Sequence, residues 1–150
     1  MRFRISITIL AWAALFVLAS ALEAFAQDAS PDEAAIQEVL ETAYVQGLHV
    51  LRDEAAVRNG FHPHFMMSVN DGEGVTLVPL DMWLERLELD GQRNPKQVEG
   101  RFEFVDVTGE AASAKLQIYE DGEHLYTDYF GLYKMPDGWK IVSKSFQSHP

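Results

Sequence analysis

The 150-residue chain has no cysteine. That excludes a disulfide and excludes anchoring through a lipid-modified cysteine. Basic residues are also scarce, with 12 Lys and Arg against 23 Asp and Glu and a formal net charge of −11. Such a balance repels phosphate backbones and anionic lipid, so nucleic acid is excluded as a partner. No glycine-rich phosphate loop, nucleophile elbow or metalloprotease helix is found. Internal repeats and low-complexity stretches are absent too.

The apolar run is confined to the start. A short basic segment, "MRFR", precedes sixteen uncharged residues, "ISITILAWAALFVLAS", and "AFA" follows at Ala24 to Ala26. Spanning a bilayer takes ~20 apolar residues, so this layout reads as a secretory signal, residues 1–26, with cleavage after Ala26. The mature chain, Gln27 to Pro150, has 124 residues, one domain's worth. Losing Arg2, Arg4 and Glu23 leaves 10 basic and 22 acidic residues. The expected location is periplasmic or secreted, with no membrane contact after cleavage.

The folded part opens with "SPDEAAIQEVLETAYVQGL". Ser30 can cap a helix, Pro31 suits its first turn, and Glu33 completes a capping box. Ile36, Leu40, Ala43, Tyr44, Gly47 and Leu51 form one apolar stripe. "RDEAAVRNG" is a short second helix ending at Gly60. "FHPHFMMSV" turns at "NDGEG" into "VTLVP", a hairpin. Asp81 is placed to cap a third helix, "MWLERLELD", stopped by Gly91.

From Val98 onward the pattern is strand. "VEGRFEFVDV", "EAASAKLQIYE", "HLYTDYFGLYK" and "WKIVSKSF" are separated by Thr108-Gly109, Asp121-Gly122 and Pro136-Asp137-Gly138, which predicts sequential antiparallel pairing. Helices first and sheet last gives an α+β class. On the strand around Tyr129, one face carries Tyr126, Asp128, Phe130 and Leu132. The other carries Leu125, Thr127, Tyr129, Gly131 and Tyr133. Neither is a water-facing polar surface, so a second copy of the chain is expected on the outer face.

The stretches "FHPHFMM", "FVDVTGEAASAKL", "YTDYFGLYK" and "GWKIVSKSF", with the Trp-bearing helix between them, resemble the nuclear transport factor 2-like superfamily. Within it they are most similar to the lumazine-binding family. The resemblance spans nearly all of residues 27–150. It implies the cystatin-like cone shared by SnoaL-like proteins and steroid isomerases: a strongly curved mixed or antiparallel sheet around N-terminal helices, with a pocket between them and dimerisation through the outer sheet.

If Asp128 shares the concave face with Phe130 and Leu132, it looks into the pocket. The other readings are a structural hydrogen bond, to backbone or to a side chain such as Tyr44, and a place on a wet outer face. A carboxylate in the pocket needs partners or a proton, and suits acid–base work or gripping a polar ligand. Arg101 or Lys144, if inward, would pair with it and make it structural. Which one does so depends on strand register, because a slip of one residue reverses every face. The resemblance to steroid isomerases implies an oxyanion-donor role for Tyr44. Their basic aspartate on the first strand has no counterpart, since the position falls near Val69. His62 and His64 point the same way along a strand but have no third ligand, so no metal and no cofactor is expected. Histidine titrates near neutrality, so His62 is also a candidate base. Trp83, with Met82, Leu84, Met66 and Met67, offers soft apolar wall.

The leading expectation is an exported domain binding a small apolar or aromatic molecule, with Tyr44, Trp83, Phe130, Asp128 and His62 as ligand contacts. One alternative is an isomerase or dehydratase with Asp128, Tyr44 and His62 as catalytic residues. The other is a non-catalytic dimeric interaction module.

Overall fold

The computed structural model describes residues 30–150, and the expected signal peptide lies outside them. The first element is fixed by its own ends. Ser30 Oγ accepts from the Glu33 amide, and Glu33 Oε2 accepts from the Ser30 amide at 2.8 Å, a reciprocal capping box ahead of helix α1, Pro31–Val39. Asp32, in that first turn, accepts from Lys134 Nζ at 2.6 Å and from Trp139 Nε1 at 3.0 Å. The helix start is thereby pinned to the last hairpin of the sheet.

The helix does not keep its pitch. From Leu40 to Leu51 it winds as a π-helix, whose hydrogen bonds run from residue i to i+5. Side chains five apart then meet on one side. Gln46 donates to Glu41 at 2.9 Å, and the His49 ring meets Tyr44 edge-on at 4.8 Å. Arg52, in the left-handed region at φ 53°, ends the segment. Helix α2, Glu54–Gly60, starts at Asp53, whose side chain caps Ala55 and Ala56. It lies close against the first helix because Gly60 has no side chain: a Cβ there would sit 2.3 Å from Ala43 Cβ.

Six strands form one sheet in the order β2-β1-β6-β5-β4-β3: β1 Phe61–Asn70, β2 Val75–Pro79, β3 Val98–Thr108, β4 Ala111–Glu120, β5 Glu123–Met135 and β6 Gly138–Ser148. The turns at 70–74, 109–110, 121–122 and 136–137 make the expected antiparallel hairpins. One pairing is different in kind: β1 runs parallel to β6, placing the first hairpin beside the last strand and making the sheet mixed. The class is α+β, with the helices on the sheet's concave face. Ile36, Leu40, Tyr44, Phe61, Phe65, Leu116, Ile118, Leu132 and Ile141 are fully buried between the two layers.

Helix α3, Leu80–Leu87, follows β2 directly. Asp81 does not cap it. The cap position is Pro79, and Asp81 instead pairs with Arg58 on α2 at 2.8 Å. Nor is Gly91 the stop, because Glu88 already turns left-handed at φ 47°. The Arg52 guanidinium closes that end, donating to the Glu88 carbonyl and pairing with Asp90 at 2.9 Å. Asn94 donates to the His49 carbonyl and to Glu120, tying the loop after α3 over the end of the π-helical segment.

Candidate functional site

The register of β5 against β6 decides where the polar groups go. Asp128 lies opposite Phe146, and Lys144 lies opposite Phe130, so Asp128 and Lys144 are diagonal neighbours on the same concave face. A bulge between Gly131 and Leu132 sets this phase. Asp128 is wholly buried and Lys144 is 6 % exposed. The two charges sit 2.9 Å apart, Nζ to Oδ1, outside good hydrogen-bonding angles.

Tyr44, from the π-helical segment, completes a triangle. Its hydroxyl donates to Asp128 Oδ2 at 2.8 Å and accepts from Lys144 Nζ at 2.6 Å. Burial, and then the neighbouring carboxylate, holds the phenol well above its ordinary range. Burial lowers the Lys144 ammonium from its ordinary range, while Asp128 opposes that shift. Four rings surround the ammonium, with centroids at 4.7 Å for Tyr44, 4.8 Å for Phe146, 5.3 Å for Trp83 and 5.9 Å for Tyr126.

Beside this triangle is a cavity of about 130 Å³, lined by Tyr44, Leu48, His49, Met67, Trp83, Leu87, Tyr126, Lys144 and Phe146. A second hollow of about 310 Å³ shares the walls Leu48, His49, Leu87 and Tyr126 and is also lined by Arg52, Asn94 and Glu120. His49 stands between the two. Its Nε2 is shielded from water and has no hydrogen-bond partner. Burial, followed by the Lys144 charge, lowers its pKa to about 3, so the ring is neutral at ordinary pH.

The candidate residues divide accordingly. Tyr44 and Trp83 line the cavity, and Asp128 stands directly behind it. Phe130 supports Tyr44 from beneath, ring to ring at 5.0 Å, but is not part of the cavity wall. His62 is not brought to the site. It lies at the other end of β1, where its Nδ1 accepts from the His64 amide at 3.1 Å. Asp128 is not a free acid, because Lys144 is the inward cation. Arg101 points outward, pairs with Glu99 at 2.8 Å and stacks on Tyr119. The histidine at the cavity is His49, which helical spacing of 3.6 residues turns away from Tyr44. Only the wider π-helical winding brings the two together. Among the described residues, no group of three or more His, Cys, Asp or Glu is placed to hold a metal.

This architecture has relatives. Residues 31–147 match the family described as "Putative lumazine-binding", and the chain belongs to that family, within the NTF2-like superfamily. No curated protein matches the sequence. Among solved structures, an NTF2-like protein of unknown function from Shewanella baltica OS155 is 27 % identical, with a TM-score of 0.65, covering 78 % of this chain and 93 % of its own. A "putative ketosteroid isomerase" from Shewanella frigidimarina is 18 % identical at TM-score 0.56, covering 78 % and 98 %. The CaMKII hub of S. rosetta is 17 % identical at TM-score 0.59, covering 81 % and 98 %. At these last two identities the likeness is one of fold.

Proposed function

We propose that the protein is an exported binding domain for a small, partly apolar molecule. The observation that carries this reading is the aromatic-lined cavity with two polar groups on its wall, the Lys144 ammonium and the unpartnered His49 Nε2. An engineered protein cavity of about 150 Å³ admits benzene, so a single aromatic ring is the scale of guest that suits this one. The second hollow, with Arg52, Asn94 and Glu120, suits a polar substituent reaching toward water. The family's lumazine-binding description is consistent with a flat ring that accepts hydrogen bonds.

An isomerase would need a free base. Asp128 is engaged by Tyr44 and Lys144, His62 is distant, and the first strand supplies no acid. The binding reading is therefore preferred over catalysis by Asp128. Native mass spectrometry of protein purified from its own host tests it. A copurifying small molecule, displaced by excess benzyl alcohol, is the expected result. Empty protein, together with tryptophan emission unchanged by benzyl alcohol, would overturn the reading.

The outer sheet face supports a homodimer as the working form. Leu77, Ser68, Ser145, Tyr129, Lys115 and Phe104 follow one another straight across the six strands, each opposite the next. Leu77 is 59 % exposed, and Tyr129 and Phe104 are also exposed. Gly131, Ser143 and Ser145 leave a hollow of about 320 Å³ beside Tyr129 in which a partner's side chains can seat. Export is tested by cell fractionation and by N-terminal sequencing, with Gln27 expected as the first residue.

A further inference from the structure

Lys144 has surroundings unlike those of the other lysines. Lys96, Lys115, Lys134 and Lys140 lie toward water, each with a carboxylate at 2.6 to 3.1 Å. For Lys96 and Lys115 those partners raise the pKa, so the amines stay protonated. Among the described residues Lys144 is the only buried lysine. It borders a cavity, the Asp128 carboxylate lies 2.9 Å away, and its Nζ donates at 2.6 Å to the Tyr44 hydroxyl, which in turn donates to Asp128 Oδ2. A buried amine beside an acid and a phenol is the arrangement that carbonyl capture needs.

We propose that Lys144 forms a reversible imine with a small aromatic aldehyde or ketone held in the cavity, Asp128 and Tyr44 moving the protons. The inference rests on the ligand-binding reading of this same site. The ion pair first passes a proton from Nζ through the Tyr44 hydroxyl to Asp128 Oδ2, along the two hydrogen bonds that join them, leaving a neutral amine and a carboxylic acid. The Nζ lone pair then attacks the carbonyl carbon, and the C=O π pair moves to oxygen. That oxygen takes the Asp128 proton through the Tyr44 hydroxyl. The nitrogen returns a proton to Asp128, which protonates the carbinolamine oxygen, and the C–O bond breaks to release water. The products are a protonated imine and the Asp128 carboxylate, again an ion pair, with no change of oxidation state. The four rings around Nζ are placed to shelter the iminium as they shelter the ammonium. The neutral His49 is positioned to hydrogen-bond a substituent on the captured ring.

The test uses the full mature chain with limiting benzaldehyde and cyanoborohydride at neutral pH, followed by peptide mapping. The expected result is one N-benzyl group on Lys144, in preference to every other lysine. Replacing the whole triangle by Y44F/D128L/K144M avoids stranding a charge and should remove the selective adduct. Adducts spread evenly over the surface lysines would overturn imine formation. If tryptophan emission still responds to benzyl alcohol in a manner lost in W83F, the binding reading survives that failure. If neither adduct nor response appears, both fall.

Discussion

The Tyr44 hydroxyl reaches Asp128 Oδ2 at 2.8 Å across 84 residues of chain, and this bond ties the helical layer to the middle of the sheet. Lys144 contacts both partners, so the three side chains form one closed unit inside an apolar core. Such a unit is costly to break and contributes little net stability when whole, because desolvation offsets the attraction.

That asymmetry gives the first prediction. K144M alone leaves Asp128 charged and buried, and should cost about 3–5 kcal/mol in urea unfolding. Y44F should cost about 1–3 kcal/mol by taking a donor from Oδ2. The triple variant Y44F/D128L/K144M should lie close to wild type. A triple variant no more stable than K144M would show that the triangle is a net source of stability.

What could be read from the residues was local. The capping box at Ser30 and Glu33, and the turns at Asp121-Gly122 and Pro136-Asp137-Gly138, depend on neighbours within a few positions, and they folded as their chemistry dictates. The alternation grouped Asp128 with Phe130 and Leu132 but left open which face is inward; the structure buries all three. The partner of Asp128 was not legible, because the bulge at Gly131 and Leu132 shifts the phase of β6 and no local pattern announces it. The parallel pairing of β1 with β6 joins segments far apart in the chain. His49 was missed for a different reason: its place depends on helical winding, and hydrophobic spacing alone does not distinguish i+4 from i+5 hydrogen bonding.

His49 should make stability depend on pH. Its folded pKa, about 3, lies below the ordinary value of 6.5, so the unfolded chain binds the extra proton between those limits. Stability should therefore be highest above pH 6.5. It should fall toward pH 3 by roughly 1.4 kcal/mol per pH unit from this group. H49L should remove that component. The check is the difference between wild-type and H49L unfolding free energies across the range, and a difference flat with pH would refute it.

Gly60 should tolerate no side chain. A methyl group would meet Ala43 Cβ at 2.3 Å, with Val39 Cγ1 only 3.3 Å away. G60A should destabilise by about 1–3 kcal/mol through overpacking. Adding A43G vacates the space and should recover part of that loss beyond its own helix cost of about 1 kcal/mol. Additive destabilisation in the double variant would mean that the two positions do not compete for the same volume.

The outer face supplies the last prediction. Tyr129 stands in the row running from Leu77 to Phe104, beside the hollow at Gly131, where a second copy is proposed to dock. Y129E sets a carboxylate at the centre of that surface in each copy, and across a two-fold contact the charges would face each other. Like charges brought together on an apolar patch cost several kcal/mol, enough to split a dimer of ordinary affinity. Sedimentation velocity at micromolar concentration should find wild type as a dimer and Y129E as a monomer with an unchanged far-ultraviolet spectrum. Tyr129 is outward and Lys144 inward, so the reaction with benzaldehyde should survive in the monomer if the cavity belongs to one chain. A monomeric wild type, or a Y129E protein that still sediments as a dimer, would rule out this face as the interface.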